Sequence, residues 1–350
     1  MILLYNFSMV SVKPDNGKSN SGKSDAKSIV KSDAKSGIKS SQLAGLGLLL
    51  IAFLWGIGFV FVKESLTLLP PFYLNALRFT FASLGLSVIF AKKLVRRMTK
   101  KVFVHGLVLG IFLGIAYSFQ TLGCVYTSAG KNALFTSIYI ILVPIFSCIQ
   151  LKVRLPVRVF VAAIMAFAGI ALLSGALSGG GNAVETKGDV LTLVCGVFFA
   201  FHLLYIAKYT KTDSPIVLAI LQLFFACVLS WIAAPFFDGD FPVAAFSDKA
   251  TFSRLVGCLV YLTVFSTMVT FLLQNVCQKY VSSSAAALLV SFESPFGFIA
   301  SALLLGEVFT PAMVSGAVLI VFALFVSEGF LRFEKLTKLT KLPKLKKSKI

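Results

Sequence analysis

Residues 288–307 read LLVSFESPFGFIASALLLGE, an apolar run that holds one carboxylate, Glu293, and a proline, Pro295, two positions later. About 20 mostly apolar residues are enough to cross a bilayer as a helix. A charge at the centre of such a helix costs roughly 2.5–3.5 kcal/mol on insertion scales, so these residues face a bundle interior or a wet cavity. Pro295 lacks a backbone N–H and weakens the helix, which opens carbonyl groups to that same interior. The stretch therefore reads as a membrane span built around something polar.

The rest of the chain agrees. Its 350 residues are 57% hydrophobic and only 13% charged, with a mean hydropathy of +0.90, far from the composition of a soluble domain. Ten stretches are apolar enough to span, at approximately 43–62, 72–91, 102–122, 129–150, 159–177, 190–207, 215–234, 255–276, 284–305 and 312–330. The 35 Phe are scattered through them and suit lipid-facing and packing surfaces. The expected fold is an all-α membrane protein.

A net charge of +19 would suit a nucleic-acid partner if it formed one basic face, but its placement excludes that reading. Seven Lys lie in residues 1–42, six Lys/Arg in 92–101 and eight after residue 331. Basic residues gather on the cytoplasmic side of a membrane, so both termini are expected to be cytoplasmic and the number of spans even. Lys63, Lys131, Lys187, Lys249 and Arg254 fall on the outer side, and Arg78 alone lies within a span. Residues 1–42 are Lys/Ser-rich and expected to be a disordered tail, although Lys23, Lys27, Lys31, Lys35 and Lys39 recur at helical spacing. Residues 331–350 form a second basic tail, attractive to an anionic inner leaflet, which makes membrane lipids expected partners.

Six cysteines without a CxxC spacing and two histidines make disulfide, metal and haem chemistry poor readings, and no cofactor is implied. There is no phosphate-cradling Gly-rich loop and no Ser/His/Asp arrangement, so no catalytic residue is assigned and an enzyme is not expected.

The two halves repeat. PFYLNALRFTFAS (71–83) lies over PIVLAILQLFFAC (215–227), pairing Pro71 with Pro215 and Arg78 with Gln222. The same shift of 144 places LWGIGFVFVK over FFAFHLLYIA. Further on the shift becomes 154, pairing Gln120 with Gln274, Tyr126 with Tyr280, Ser128 with Ser282 and Ser137 with Ser291. Units of 43–177 and 190–330 with five spans each would be inserted in opposite orientations, giving ten transmembrane helices as two inverted five-helix repeats around a midplane site.

Within that frame Glu293 is a proton-coupling or cation-binding carboxylate, or else a structural glutamate at a helix bend. Its register partner Tyr139, followed by Pro144 at a second helix bend, offers an aromatic wall and one hydroxyl. Lys131 and Asn132 open the fourth span, where a cation would attract a carboxylate solute or snorkel to the interface. Arg78 is structural, or it contacts an anion or Glu293. His202 reads as a proton relay or a neutral imidazole bonded between helices. Gln120 and Gln274 contact solute or bridge helices, and Trp55 with Gly56 fits a close helix crossing at the cavity wall.

FLWGIGFVFVK, PPFYLNALRFTFA, VYTSAGKNALFTSIYIILVPIF, GDVLTLVCGVFFAFHLLYIAKY, YVSSSAAALLVSFESPFGFIASALLLGE and SGAVLIVFALFVSE together resemble the EamA-type permeases of the drug/metabolite transporter superfamily, over roughly residues 43–328. The resemblance implies a ten-helix carrier of small metabolites such as amino acids, in a bacterial inner membrane, with helices 1–4 and 6–9 around a cavity and 5 and 10 peripheral. The family often has a Gly-Glu pair after both its fourth and ninth helices. Gly306 and Glu307 are present here, whereas the first repeat reads QLKVRLP with Lys152 near the equivalent place. The expected partners are a small-molecule solute and protons. Within transport the rival is a flippase for lipid-linked cargo, and outside it a membrane enzyme or scaffold.

Overall fold

Apolar runs of this length satisfy their backbone internally in a bilayer only by coiling, and the described residues form helices joined by short loops. The structure, a computed structural model, describes residues 23–152, 156–173 and 183–328, with no strand among them. The C-terminal stretch 331–350 and residues 1–22 of the expected N-terminal tail lie outside the described residues. In chain order the helices are α1 (Lys23–Ser65), α2 (Pro71–Ile89), α3 (Ala91–Arg97), α4 (Lys100–Tyr126), α5 (Ala129–Thr136), α6 (Tyr139–Leu151) and α7 (Val157–Leu173). They continue with α8 (Ala183–Tyr209), α9 (Pro215–Phe237), α10 (Lys249–Val260), α11 (Thr270–Cys277), α12 (Ser283–Val290), α13 (Glu293–Leu305) and α14 (Pro311–Glu328). A π-helical segment, Tyr261–Val269, joins α10 to α11.

Eight helical stretches are long and apolar enough to cross a membrane: Ser40–Ser65, Pro71–Ile89, Lys100–Tyr126, Ala129–Leu151, Ala183–Tyr209, Pro215–Phe237, Lys249–Cys277 and Ser283–Leu305. The fifth and tenth expected spans are represented by shorter apolar helices, Val157–Leu173 and Pro311–Ala323. Helix α1 begins at Lys23, well ahead of the expected span, so residues 23–42 are helical where a tail without structure was expected. The basic loop 92–101 likewise contains a helix of its own, α3.

Two expected spans are discontinuous. The span at 129–150 breaks at Ser137 and Ile138 into α5 and α6, and that at 284–305 breaks at Ser291 and Phe292 into α12 and α13. At both breaks the ladder tightens to three-residue bonds, Ile140 N to Ser137 O at 3.0 Å and Ser294 N to Ser291 O at 3.0 Å. The breaks lie 154 residues apart, on the repeat register. Pro295 falls in the first turn of α13, where its missing N–H has no helical partner to lose. Pro144 sits inside α6, beyond its break rather than at it. Helix starts repeat as well: Ser128 Oγ accepts from Lys131 N and Ser282 Oγ from Ala285 N, each at 3.2 Å.

Helix α1 packs on α13, and its register partner α8 packs on α5 and α6. Helix α9 lies against α2 and α4, and α4 also packs along α8. Helices α7 and α14 pack chiefly on each other, crossing where a Cβ on Gly316 would stand 2.6 Å from Gly169 O. Exposed Phe160, Phe167 and Phe322 on this pair suit a lipid-facing surface.

Candidate functional site

The break before α13 puts Glu293 at the first position of a helix, buried to 4% exposure, with its side chain on a cavity of about 490 Å³ of empty space. Tyr139, the first residue of α6, donates its hydroxyl to Glu293 Oε1 at 2.9 Å. Register partners line this cavity in pairs: Trp55 with Phe199, Gly58 with His202, Phe59 with Leu203, Gln120 with Gln274, and Tyr139 with Glu293. The cavity therefore sits where equivalent faces of the two repeats meet.

Arg78 reaches the same cavity from α2 at 1% exposure. Its Nε donates to Thr267 Oγ1 at 3.1 Å, and one terminal nitrogen donates to Thr267 Oγ1 at 2.9 Å and Ser266 Oγ at 3.3 Å. The guanidinium carbon lies 4.8 Å from the centre of the Tyr117 ring. Among the described residues no carboxylate forms an ion pair with it. A buried cation held only by hydroxyls and a ring face keeps an unspent demand for an anion.

Both hydroxyl partners belong to the π-helical segment, and such segments recur at functional sites. Trp55 Nε1 donates to the Ser266 carbonyl at 2.9 Å and to Thr270 Oγ1 at 3.0 Å. Arg78 and Trp55 thus tie α2 and α1 to the π turn of the other repeat. The π segment had no sequence signal, since YLTVFSTMV is as apolar as its neighbours.

His202 Nε2 lies 2.9 Å from Gln222 Oε1, so the imidazole bonds α8 to α9 with that nitrogen donating. Gln120 Nε2 donates to Thr136 Oγ1 at 3.2 Å, whereas the buried Oε1 of Gln274 has no partner in the structure. Gly56 permits the close crossing of α1 on α13, since a Cβ there would stand 2.5 Å from Phe296 Cβ and 3.0 Å from Glu293 O.

Two expected cavity residues stand elsewhere. Lys131 and Asn132 lie at the start of α5, off the cavity, and turn toward α8: Lys131 Nζ meets Glu185 Oε2 at 2.7 Å and Asn132 Nδ2 donates to Thr192 Oγ1 at 2.8 Å. Helical spacing does not say which neighbour a residue at the end of a span faces. Conversely, Tyr117, Ser266 and Thr267 were missed. Tyr117 lies one turn before Gln120, a spacing that would have flagged it.

The cavity is narrow, with room for about one or two waters. Admitting a metabolite requires the helices around it to move.

A helical membrane protein with paired repeats meeting at a buried, charged cavity is built to pass a solute, and the comparisons agree that this is a transport protein. The model of the EamA-like transporter family matches residues 42–175 and again 186–328, one match for each repeat, and the chain belongs to that family. An "uncharacterized transporter" of Archaeoglobus fulgidus is 33% identical over 312 residues, covering 89% of this chain and 94% of its own. The "uncharacterized transporter YvbV" of Bacillus subtilis is 26% identical over 280 residues, 78% of this chain and 88% of its own. A solved crystal structure superposes with a TM-score of 0.60 at 21% identity, covering 85% of this chain and 99% of its own, which supports the fold.

Proposed function

We propose that the protein is a secondary carrier that exports small metabolites such as amino acids by alternating access through the central cavity. Ten spans, formed by two inverted five-helix repeats with both termini in the cytoplasm, would give the two halves exchangeable conformations. The convergence of register partners on one cavity carries this reading, because a cavity on the pseudo-symmetry axis opens to either side when the halves exchange shapes. The basic loops and tails support the orientation.

Within the cavity the roles follow from charge. Arg78 offers a guanidinium fork to a solute carboxylate, Glu293 faces an amino group or a proton, and Trp55, Tyr117 and Phe199 supply aromatic walls. Glu293 at a helix break couples solute to proton because only one of them occupies the carboxylate at a time. Tyr139 holds that carboxylate in place when both are absent.

The test is counterflow in sealed proteoliposomes of the purified protein, with amino acids and their decarboxylated amines loaded in parallel. Exchange that needs both the carboxylate and the amino group supports the assignment. Covalent change of the solute without a sealed compartment overturns it in favour of an enzyme.

A further inference from the structure

The turn between α4 and α5 is held by charged side chains from three other helices. Lys63 Nζ, from α1, donates to the carbonyls of Cys124 and Thr127, each at 2.7 Å, capping the end of α4. Glu307, just beyond α13, accepts from the backbone N–H groups of Ala129 at 2.7 Å and Gly130 at 3.1 Å, capping the start of α5. From α8, Glu185 pairs with Lys131 and Asp189 Oδ1 accepts from Thr127 Oγ1 at 2.6 Å.

Below this clamp α5 and α8 close against each other toward the cavity. Glu185, Asp189, Thr192 and Cys195 share one face of α8 at helical spacing. Asn132 bonds Thr192, and Thr136 Oγ1 lies 3.6 Å from Cys195 Sγ. One turn further, Phe199 lines the cavity. The seam leaves no room: a Cβ on Gly188 would stand 2.7 Å from Thr127 N, and one on Gly196 2.3 Å from a methyl carbon of Ile138.

The repeat gives a built-in comparison. Carried along the same registers, Lys63, Lys131, Glu185 and Asp189 correspond to Ala207, Ala285, Ser41 and Gly45 at the other end of the bundle, and Glu307 corresponds in sequence to Val153. Not one of these is charged. Helix α12 starts on its Ser282 cap, the counterpart of Ser128 on α5, with no charged side chain added to it among the described residues. Folding of this turn therefore does not call for the clamp, which is charge added to a repeated scaffold at these register positions.

We propose that this cluster is the outer gate of the carrier, with Lys63, Glu185 and Glu307 as positioning residues that hold α5 shut against α8. The proposal rests on the alternating-access reading. Opening moves the turn away from α8 and α13, and the freed charges pass to water in the vestibule of about 720 Å³ that Lys63, Lys131, Glu185 and Glu307 already line. The opposite end is tied differently, by Lys101 and His105 of α4 on Asp213 just beyond α8, so the two ends open by parting different contacts.

Cys195 is a native reporter, fully buried in the seam between clamp and cavity. The full-length protein in sealed vesicles is treated from either face with a membrane-impermeant thiol reagent, and modification of the Cys195 peptide is followed by mass spectrometry. The expected result is slow labelling of the wild type from the outer face. A Glu185→Gln/Glu307→Gln double variant labels about tenfold faster or more, the change expected from losing charge-assisted hydrogen bonds. Lys63→Met, which frees the same turn from its other side, is a second variant should the first fold poorly. Glu64→Gln, which removes only the Arg254 pair at the same end, leaves the rate unchanged. Unchanged labelling in both gate variants overturns the gate while solute counterflow still upholds the carrier. Cys195 protected from both faces in every variant, together with no counterflow, overturns the carrier reading itself.

Discussion

Tyr139 donates its hydroxyl to Glu293 at 2.9 Å, and the two residues occupy the same register position, 154 apart, each the first residue after a helix break. The repeats thus meet through their own discontinuities. Ser137 and Ser294 reinforce the meeting, their hydroxyls in contact across the same gap, and Ser294 Oγ donates to the Ala133 carbonyl at 3.1 Å. Backbone freed by a break is tolerable in a membrane only where it is buried in protein or lines a cavity, and here it does both.

Tyr139→Phe deletes the one hydrogen bond the structure gives the Glu293 carboxylate. A hydrogen bond to a charged group is worth about 1.5–3 kcal/mol, so counterflow is expected to fall by about tenfold or more at unchanged abundance in the membrane. Glu293→Gln is expected to abolish any proton-driven component while leaving abundance intact. Proton-driven uptake that persists undiminished in Glu293→Gln vesicles removes Glu293 from the coupling step.

Arg78→Lys keeps the buried charge but loses the fork that spans Ser266 and Thr267. The variant is expected to reach the membrane, with uptake of carboxylate solutes reduced by about an order of magnitude and that of decarboxylated amines less affected, as the loss of a charge-assisted hydrogen bond implies. Equal losses for both solutes would return Arg78 to a purely structural role.

Much of this arrangement was legible in the sequence. Composition set the membrane class, and the two registers paired Tyr139 with Glu293 and Gln120 with Gln274. The breaks were hidden because Ser137 and Ser291 lie in runs equally apolar on both sides, and the nearby prolines mark a weakened helix without saying where it parts. The placement of Lys131 failed for another reason: its partner Glu185 is 54 residues away on a helix whose facing surface is decided by packing. The same holds for Glu307, which reads as a loop residue until the start of α5 is brought beneath it.

Gly56→Ala is expected to destabilise the protein by about 1–3 kcal/mol, the usual cost of overpacking. The added Cβ would meet Phe296 Cβ and the backbone atoms Glu293 O and Gly297 N, all on α13, so no flexible side-chain end can yield. Thermal unfolding in detergent reads the loss. A melting temperature equal to wild type would mean that α1 and α13 are not held this closely.

Lys152 and Gly306 end register-related helices in the left-handed conformation, with φ of 53° and 66°. Glycine enters that region freely, while other residues pay roughly 1–2 kcal/mol. Lys152→Gly is therefore expected to raise stability by about 1 kcal/mol, partly offset by the greater freedom of the unfolded chain. A lower melting temperature would show that the Lys152 side chain contributes more than its backbone costs.

Asp238, just past the end of α9, accepts from the N–H groups of Phe72 at 2.7 Å and Tyr73 at 2.9 Å, supplying the cap that Pro70 does not give α2. Burial pushes its carboxyl above the ordinary carboxylate range, and the two backbone donors pull it down by less. A carboxyl whose pKa is raised on folding stabilises the folded state below its unfolded pKa, and that contribution is lost as pH rises through the folded value. Asp238→Asn keeps an acceptor for both N–H groups without the charge. It is expected to match the wild type under acid conditions and to exceed it at neutral pH. Melting temperatures of the two proteins measured across the carboxylate range check the sign. A variant less stable than wild type at neutral pH would mean that the charge on the start of α2 outweighs the cost of burying it.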